Sequence, residues 1–372
     1  MTVQSILYGE ADFYNPSSAT SQLLIDAGID TYVYFTLHVN DSGDIGAHGG
    51  TLVEYDTSTN TSTYKGPSDW PSNLVTLKNN CIKIFFCVGA APSPKSTSGT
   101  YQKIHDNMPT STVSISGTST KVYEVPTSSD NNPLYANFAE LYNTFTYTES
   151  DGSTGYLIDG IVFDNEDFYS TSLMVTFARM LNSIGYANIS FCPYEEMSTW
   201  MDTAKYIING NTSAVAGSVP VVTTGGSFSA IGLSAGDALS DVFYNMHLQC
   251  YSGGNDNKAS TWINHLESNV GLSSSAAEAA IVPGYYLSTE SAKNVTSSAV
   301  ICPGAFEKAF SHLQSGGTHS KAGTSTTGIG LSGGFIYNYS ILRANQGLSG
   351  TNCTEDLTLA NYVSALSKGL GS

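Results

Sequence analysis

Strand-like and helical segments alternate along the whole chain, and this alternation most constrains its fold. The strand-like segments are short and rich in Val, Ile, Phe and Tyr, which is typical of parallel strands buried on both faces. They are residues 5–8, 31–39, 82–88, 156–168, 188–192, 241–251, 280–286 and 334–339. The helical patterns are residues 18–27, 70–79, 134–145, 173–184, 199–208, 260–268, 306–314 and 357–366. Eight strands that alternate with helices predict an α/β fold, a (β/α)8 or TIM barrel.

The length of 372 residues suits one barrel with loop insertions, so we predict a single domain over residues 1–372. Long loops are predicted after the third strand, at 92–132 with a hairpin, and after the fifth strand, at 193–236. The segment 287–333 must also hold a helix, which leaves little room for an insertion and predicts an open cleft. A doubly wound open sheet is the alternative, but no Gly-rich phosphate loop follows the first strand.

The fourth strand-like stretch, residues 156–168 (YLIDGIVFDNEDF), carries an unusual set of acids. Asp164 and Glu166 occupy alternate positions, so in a strand they would share one face, about 7 Å apart. Two carboxylates that close cannot both ionise freely, and one would hold a proton near neutral pH, as a general acid must. The alternative is a strand that ends in a solvated acidic turn. Asp159, inside the apolar run, is interpreted as structural.

Charge and composition limit the possible partners. The formal net charge is −17, the pI is about 4.5, and no segment is rich in Lys or Arg, so nucleic acids and anionic membranes would repel the chain. Only 12% of the residues are charged, while Ser, Thr, Asn, Gly and Tyr are abundant, as in secreted proteins that handle carbohydrate. The start of the chain lacks a signal-peptide pattern, and no apolar stretch approaches a membrane span. We expect a soluble monomer that is secreted or extracellular.

The six cysteines form no CxxC pair and no Cys/His spacing suited to zinc, so neither a metal site nor a cofactor is predicted. Cys87, Cys192 and Cys250 lie in or at the end of strand-like runs, where buried free thiols are common. Cys302 and Cys353 lie in loop-like contexts and could form a disulfide, although the sequence alone does not pair them.

Residues 159–166 (DGIVFDNE) resemble the strand-four signature DxxDxDxE of glycoside hydrolase family 18, the chitinase and endo-β-N-acetylglucosaminidase family. The spacing agrees at three of the four acids. Residues 249–251 (QCY) are similar to the strand-six Gln-x-Tyr of the smaller plant-type and bacterial members. Weaker similarities are found at residues 32–45, to the second strand and its turn, at 87–90, to the SxGG motif, and at 333–336, to the start of strand eight.

The resemblance implies a retaining, substrate-assisted hydrolysis of β-1,4 linkages next to N-acetylglucosamine, in chitin-type polymers or N-glycan cores. Glu166 would be the general acid and base, and the substrate's own acetamido carbonyl would attack the anomeric carbon. Asp164 would orient the acetamido N–H and keep Glu166 protonated. Tyr251 would donate its hydroxyl to the acetamido oxygen, with Gln249 beside it. The implied partner is an oligosaccharide, a polysaccharide or a glycoprotein glycan that contains N-acetylglucosamine.

Further substrate-binding candidates lie at or near strand ends on the same rim. Tyr8, Tyr286 and Tyr337 are predicted sugar platforms, although a tyrosine buried in the barrel core is as common. Asn338 stands where strand eight of the family usually ends in a Trp, and is predicted to contact the sugar. His247, two residues before Gln249, could line the barrel by simple alternation.

Departures from the family pattern leave other functions open. Val162 stands at the position of the family's second motif acid, Asn338 replaces the strand-eight Trp, and SxGG is reduced to CVGA at residues 87–90. A non-catalytic, lectin-like carbohydrate-binding barrel is therefore the second candidate function. A glycosidase of other specificity on the same fold is the third.

Overall fold

The structure, a computed structural model, closes a parallel sheet into a barrel. It describes residues 3–9, 18–89, 99–193, 196–211, 219–222, 228–234, 236–251, 258–287, 300–315, 318–319, 323–324, 330–345 and 353–371. The barrel strands are β1 (Gln4–Gly9), β2 (Thr31–Val39), β3 (Lys83–Gly89), β4 (Gly160–Asp164), β5 (Asn188–Phe191), β6 (Phe243–Gln249), β7 (Ile281–Tyr286) and β8 (Gly333–Tyr337). Each strand pairs in parallel with its neighbours in chain order, and β1 pairs with both β2 and β8. The predicted (β/α)8 barrel is confirmed.

Helices follow the barrel strands and cover their outer faces. They are α1 (Ser18–Ala27), α2 (Trp70–Asn79), α3 (Thr100–Asn107), α4 (Pro133–Thr144), α5 (Thr171–Ile184), α6 (Met197–Asn209), α7 (Ala259–His265), α8 (Ser274–Ala280), α9 (Pro303–Ser315), α10 (Tyr339–Asn345) and α11 (Leu359–Gly369). A π-helical turn, Leu266–Val270, continues α7. The side chains of Asn132 and Ser170 accept backbone hydrogen bonds at the starts of α4 and α5, which fixes where these helices begin.

Three short helices were not predicted from the sequence: α3, α8 and α10. They have seven or eight residues each, too few for a clear helical period in the sequence. The helix predicted between the seventh and eighth strands is confirmed as α9.

Alternation along the strands separates an inner from an outer core. Residues that point outward pack under the helices, as Leu7 of β1 and Phe163 of β4 do. Residues that point inward form a second cluster inside the barrel: Ile6, Tyr8, Val33, Phe85, Cys87, Val162, Cys192, Val282 and Phe335. The interior is thus filled by side chains, and only its carboxyl-end layer is available to a ligand.

Loops carry additional antiparallel strands. After β2 the sheet is extended by Ile45–Ala47, Gly50–Asp56 and Thr61–Tyr64, a feature that the sequence did not predict because these short strands show little apolar alternation. The hairpin predicted in the long loop after β3 is confirmed as Thr110–Ile115 paired with Thr118–Tyr123. Residues 92–98 of that loop, and parts of the loop after β5, lie outside the described residues.

The cysteines behave as their contexts predicted. Cys302 and Cys353 form a disulfide, while Cys87, Cys192 and Cys250 are buried free thiols. Among the described helices, none combines the length and the apolar character that crossing a membrane requires.

Asp159 precedes β4 at the amino end of the barrel. Its carboxylate accepts hydrogen bonds from Lys78 Nζ at 2.5 Å and from the Ile84 backbone N–H at 2.8 Å. An acid that is paired with a cation and tied to the neighbouring strand has a structural role, in agreement with the interpretation from sequence.

Candidate active site

A cavity of about 250 Å³ opens at the carboxyl end of the barrel. Its wall consists of Tyr8, Phe35, Asp164, Glu166, Cys192, Gln249, Tyr251 and Tyr337. These side chains come from β1, β2, β4, β6 and β8 and from the residues that directly follow β4, β5 and β6. The volume lies below the ~300–1,000 Å³ of clefts that enclose a whole small ligand, so the cavity suits one ring of a longer molecule.

Asp164 forms the floor of the cavity. It is the last residue of β4 and is only 2% exposed. Gln249 Nε2 donates to Asp164 Oδ1 at 3.1 Å, and the same amide contacts the Cys192 carbonyl oxygen at 3.3 Å and its Sγ at 3.5 Å. Gly89 of β3 lies directly opposite Asp164, where a Cβ would overlap the Asp164 carbonyl. The close approach of β3 therefore requires glycine at this position.

The carboxyl group of Asp164 favours its protonated form. Burial raises its pKa well above the usual value, and the negative charge of Glu166 raises it further, against the hydrogen bonds from Cys192 and Gln249. One member of this carboxyl pair thus retains a proton at pH values where an exposed aspartate is fully ionised. That Glu166 is the member that carries the proton remains a prediction.

Glu166 reaches the cavity in a different way from the one predicted. The strand ends at Asp164, so strict alternation does not place Glu166 on the same face. Instead, the buried Asn165 side chain accepts hydrogen bonds from the backbone N–H groups of Asp167 and Phe168, and its amide donates to the Phe168 carbonyl. This Asx-type turn ends β4 and leaves Glu166 partly exposed beside Asp164.

The strand-six pair lines the same cavity as the two acids. Gln249 ends β6, and Tyr251 follows two residues later with its ring half-buried. Burial raises the pKa of the Tyr251 hydroxyl well above its usual value, so this group remains a hydrogen-bond donor. Asp164, Glu166, Gln249 and Tyr251, which the sequence nominated from two separate motifs, are brought together in one wall.

Tyrosine and phenylalanine rings form the mouth of the cavity. Tyr337 stacks on Tyr251 with ring centroids 5.5 Å apart and an interplanar angle of 8°, and Tyr286 lies 5.4 Å from Tyr337. Phe35 meets Tyr337 edge-on at 5.4 Å. Tyr8 lies deeper, 1% exposed, with its hydroxyl 2.5 Å from His247 Nδ1. Tyr8 and Tyr337 thus line the cavity, while Tyr286 supports Tyr337 from behind.

Asn338 occupies a different environment from the predicted one. It is 1% exposed, and its side-chain oxygen accepts a hydrogen bond from the Ile341 N–H at the start of α10. The residue before it, Tyr337, provides the ring at the end of β8. All three tryptophans of the chain, Trp70, Trp200 and Trp262, are fully buried away from the cavity wall.

The barrel interior directly around Val162 is lined by apolar and thiol side chains. Val162 is fully buried two residues before Asp164, packed in the inner cluster with Cys87 and Cys192. Burial raises the pKa of both thiols well above the usual value, so they stay protonated. His247, predicted as a possible lining residue, is buried in this interior against Tyr8.

Several residues of the site were missed by sequence reasoning. Phe35 was missed because the pairing of β2 with β3 is irregular between Tyr34 and Leu37, which breaks the alternation that would have revealed it. Cys192 was classed only as a buried thiol, although its position directly after β5 was a signal. Asp167 anchors the loop wall: its carboxylate accepts the N–H groups of Tyr101 and Gln102 at the start of α3, at 3.2 and 2.9 Å.

Metal-binding side chains do not cluster in this site. Across the described ranges, no group of three or more His, Cys, Asp or Glu side chains is placed to hold a metal ion.

Comparisons with solved structures identify the fold. No protein-family model matches the sequence, and no curated protein matches it. The catalytic domain of a hyperthermophilic chitinase from Pyrococcus furiosus is similar with a TM-score of 0.50 and 8% identity, over 99% of this chain and 96% of that one. A GH18 chitinase from Pseudoalteromonas aurantia has a TM-score of 0.49 and 10% identity, over 99% and 100% of the two chains. The chain has the fold of GH18 chitinases, and at these identities the similarity concerns the fold alone.

Proposed function

We propose that this barrel is a retaining glycosidase that cleaves β-1,4 linkages next to N-acetylglucosamine, with Glu166 as the general acid and base. The observation that carries the proposal is the single cavity shared by Asp164, Glu166, Gln249 and Tyr251. A buried aspartate, a partly exposed glutamate and a tyrosine donor meet around a space for one sugar ring. The chitinase domain from Pyrococcus furiosus, which has this fold, supports the choice of substrate class.

Each group has a role that follows from its position. Glu166, partly exposed at the mouth, protonates the glycosidic oxygen, and the substrate's acetamido carbonyl attacks the anomeric carbon. Asp164 accepts the acetamido N–H and stabilises the positive charge of the oxazolinium intermediate. Tyr251 donates its hydroxyl to the acetamido oxygen. Gln249 holds Asp164 in place through its 3.1 Å hydrogen bond.

The proton moves between the two carboxyl groups as the substrate binds. Asp164 holds it before binding, because burial favours the neutral acid. A bound acetamido N–H and the positive charge that develops on the ring both favour ionised Asp164. The proton therefore transfers from Asp164 to Glu166, which donates it to the leaving oxygen. After the glycosidic bond breaks, ionised Glu166 accepts a proton from the incoming water, and the anomeric configuration is retained.

The aromatic mouth supports sugar binding without a tryptophan. Tyr337 offers an apolar ring face, held by stacking on Tyr251 and Tyr286. Such faces pack against the C–H surfaces of pyranose rings, while the tyrosine hydroxyls remain available to sugar hydroxyls. We propose an oligosaccharide, polysaccharide or glycoprotein glycan that contains N-acetylglucosamine as the ligand.

A second candidate function is carbohydrate binding without hydrolysis. It is favoured by Val162, a buried apolar residue at the position of the family's second motif acid. An acid at this position would share a proton with Asp164. Without that acid, proton exchange in the pair would be slower or shifted in pH. The cavity and its aromatic mouth would serve a lectin equally well.

Parallel assays separate the two functions. The protein is incubated with chitin oligosaccharides and with an N-glycosylated protein at several pH values, and new reducing ends and the product anomer are measured. Hydrolysis with retention is expected, and Glu166→Gln is expected to lower its rate roughly 10²- to 10⁴-fold while glycan binding is kept. Glu149→Gln is the matched control and should behave as wild type, because Glu149 lies in the exposed turn between the antiparallel strands Thr146–Thr148 and Thr154–Tyr156. Saturable binding with no reducing ends from wild type would establish the lectin function instead.

A further inference from the structure

The residue that directly follows Glu166 is held by helix α3, which belongs to the loop after β3. The Asp167 carboxylate accepts hydrogen bonds from the backbone N–H groups of Tyr101 and Gln102 at 3.2 and 2.9 Å. Gly99, the residue before α3, lies so close to this carboxylate that a Cβ there would overlap it. Because Gly99 has no side chain to cap the helix, the first turn of α3 is capped by a residue from another loop.

The next residue, Phe168, contacts the same helix through its ring. The ring stacks on the imidazole of His105, about one turn further along α3, with centroids 4.6 Å apart and an interplanar angle of 16°. His105 Nδ1 lies 2.5 Å from the hydroxyl oxygen of Tyr123, at the end of the hairpin. Phe228, from the loop after β5, packs on Tyr123 at a centroid distance of 4.4 Å. Parts of the loops after β3, β4 and β5 therefore meet around Phe168.

Glu166 has an anchored residue on each side. Asn165, before it, is fully buried, and its side chain bonds the backbone of Asp167 and Phe168. Asp167, after it, is bound to α3. The backbone of Glu166 is therefore confined, while its side chain lines the cavity and stays partly exposed. A side chain on a fixed backbone keeps its distance from Asp164 within narrow limits.

We propose that the contacts of Asp167 and Phe168 with α3 form a clamp that sets the place of Glu166 relative to Asp164, and that Asp167 and Phe168 are positioning residues. Glu166 follows the end of β4, and loops are more mobile than the strands that they follow. A displacement of about 1 Å in a reacting group can lower a rate about 10²-fold, so an acid on a loop needs such support. The clamp rests on the proposed function only for its effect on hydrolysis.

The clamp also determines how strongly the two carboxyl groups affect each other. Burial raises the pKa of Asp164 most, and the negative charge of Glu166 raises it further. Since this charge effect falls with distance, a Glu166 that moves away from Asp164 leaves Asp164 with a lower pKa. Other titratable groups face Asp164 and stay intact in the variants below. They are Tyr8 of β1, Cys87 of β3, Tyr101 of α3, Cys192 after β5, Tyr251 after β6 and Tyr337 of β8.

The first test is a titration of Asp164 in the full-length protein. Aspartate side chains are labelled with ¹³C at the carboxyl carbon, and the Asp164 signal is assigned with Asp164→Asn. Asp167→Ala and Asp167→Asn both remove the charge of Asp167, but only the asparagine oxygen can still accept from the N–H groups of α3. The pH midpoint of Asp164 is expected to be lower in Asp167→Ala than in Asp167→Asn by roughly half a unit, about a threefold change in the ionisation constant.

The stacked ring tests the clamp without any change of charge. Phe168→Ala removes the ring and is expected to lower the Asp164 midpoint by a similar amount, whereas Phe168→Tyr keeps the ring and should keep the wild-type midpoint. The matched control is Gln102→Ala on the same helix. The Gln102 side chain bonds Asp106 at 2.9 Å, outside the clamp, so its removal should leave the midpoint unchanged. If one of the alanine variants does not fold, the other decides the question.

Hydrolysis gives a second readout. Where the glycosidase function holds, Phe168→Ala should lower kcat about tenfold or more with little change in KM, because the acid is displaced while the cavity wall is kept. Phe168→Tyr should restore kcat.

The titration needs no turnover, so the two proposals fail separately. If wild type produces no reducing ends but the midpoints shift as expected, the glycosidase function is wrong and the clamp stands. If Asp167→Ala has the same Asp164 midpoint as Asp167→Asn, and Phe168→Ala the same midpoint as wild type, the clamp is overturned even when hydrolysis by wild type is normal.

Discussion

Asp159 and Asp164 lie at opposite ends of β4 and differ in their partners and in their burial. Asp159 is paired with Lys78 and accepts a backbone N–H from β3, so its charge is compensated and its geometry fixed. Asp164 is more deeply buried, is held by neutral donors, and lies beside Glu166. A buried carboxyl group that has no cationic partner keeps a shifted pKa, which suits it for proton transfer, at some cost in stability.

Neutralising each acid in turn should affect hydrolysis very differently. If the proposed mechanism holds, Asp164→Asn lowers glycan hydrolysis roughly 10²- to 10³-fold, because the variant lacks the carboxylate that is proposed to stabilise charge in the transition state. Asp159→Asn, at the far end of the strand, should leave kcat within about twofold. Both are measured by release of reducing ends under identical conditions. Comparable losses in the two variants would show that Asp164 matters only for the integrity of the strand.

Stability should show the reverse order. Asp159→Ala removes the carboxylate from Lys78 and from the Ile84 N–H and is expected to lower the free energy of unfolding by about 1.5–3 kcal/mol. Asp164→Asn keeps the shape of the side chain and replaces a carboxyl group that burial already favours in its neutral form, so it should change stability by less than about 1 kcal/mol in either direction. Urea unfolding monitored by circular dichroism gives both values. Lys78→Met serves as the control that breaks the same ion pair from its other side.

The pH dependence of the free energy of unfolding should differ between wild type and Asp164→Asn, and this difference is specific to the titration of Asp164. The pKa of Asp164 is raised above its ordinary value of 3.8 in the folded protein, so folding takes up a proton there. The resulting stabilisation is complete below pH 3.8 and is lost as the pH rises through the folded-state pKa. Wild type should therefore lose stability relative to Asp164→Asn over that window, by no more than about 1.4 kcal/mol per pH unit. Equal slopes for the two proteins would contradict a raised pKa at Asp164.

The sequence predicted the parts of this molecule that depend on local periodicity. The inward position of Asp164 follows from strand alternation, and its location at the carboxyl end follows from the alternation of strands with helices. Glu166 could not be placed in the same way, because its position depends on the Asn165 side chain bonding to the backbone beyond it. Contacts between distant strands could not be predicted from the sequence either. Tyr8 and His247 are 239 residues apart, and no local pattern pairs them. Asn338 was misplaced for a related reason, since the short helix α10 that it caps left no clear signal.

The closure of the sheet has a consequence for the order of folding. β1 and β8 come from opposite ends of the chain, and their pairing brings the Tyr8 and Tyr337 rings within 6.1 Å of each other. Such a long-range pairing is slow, because the chain must lose the entropy of a very long loop before the contact stabilises it. Helices formed earlier would already give most of the far-ultraviolet signal. If the protein binds glycans as proposed, the rate at which binding recovers during refolding would report when β8 pairs with β1.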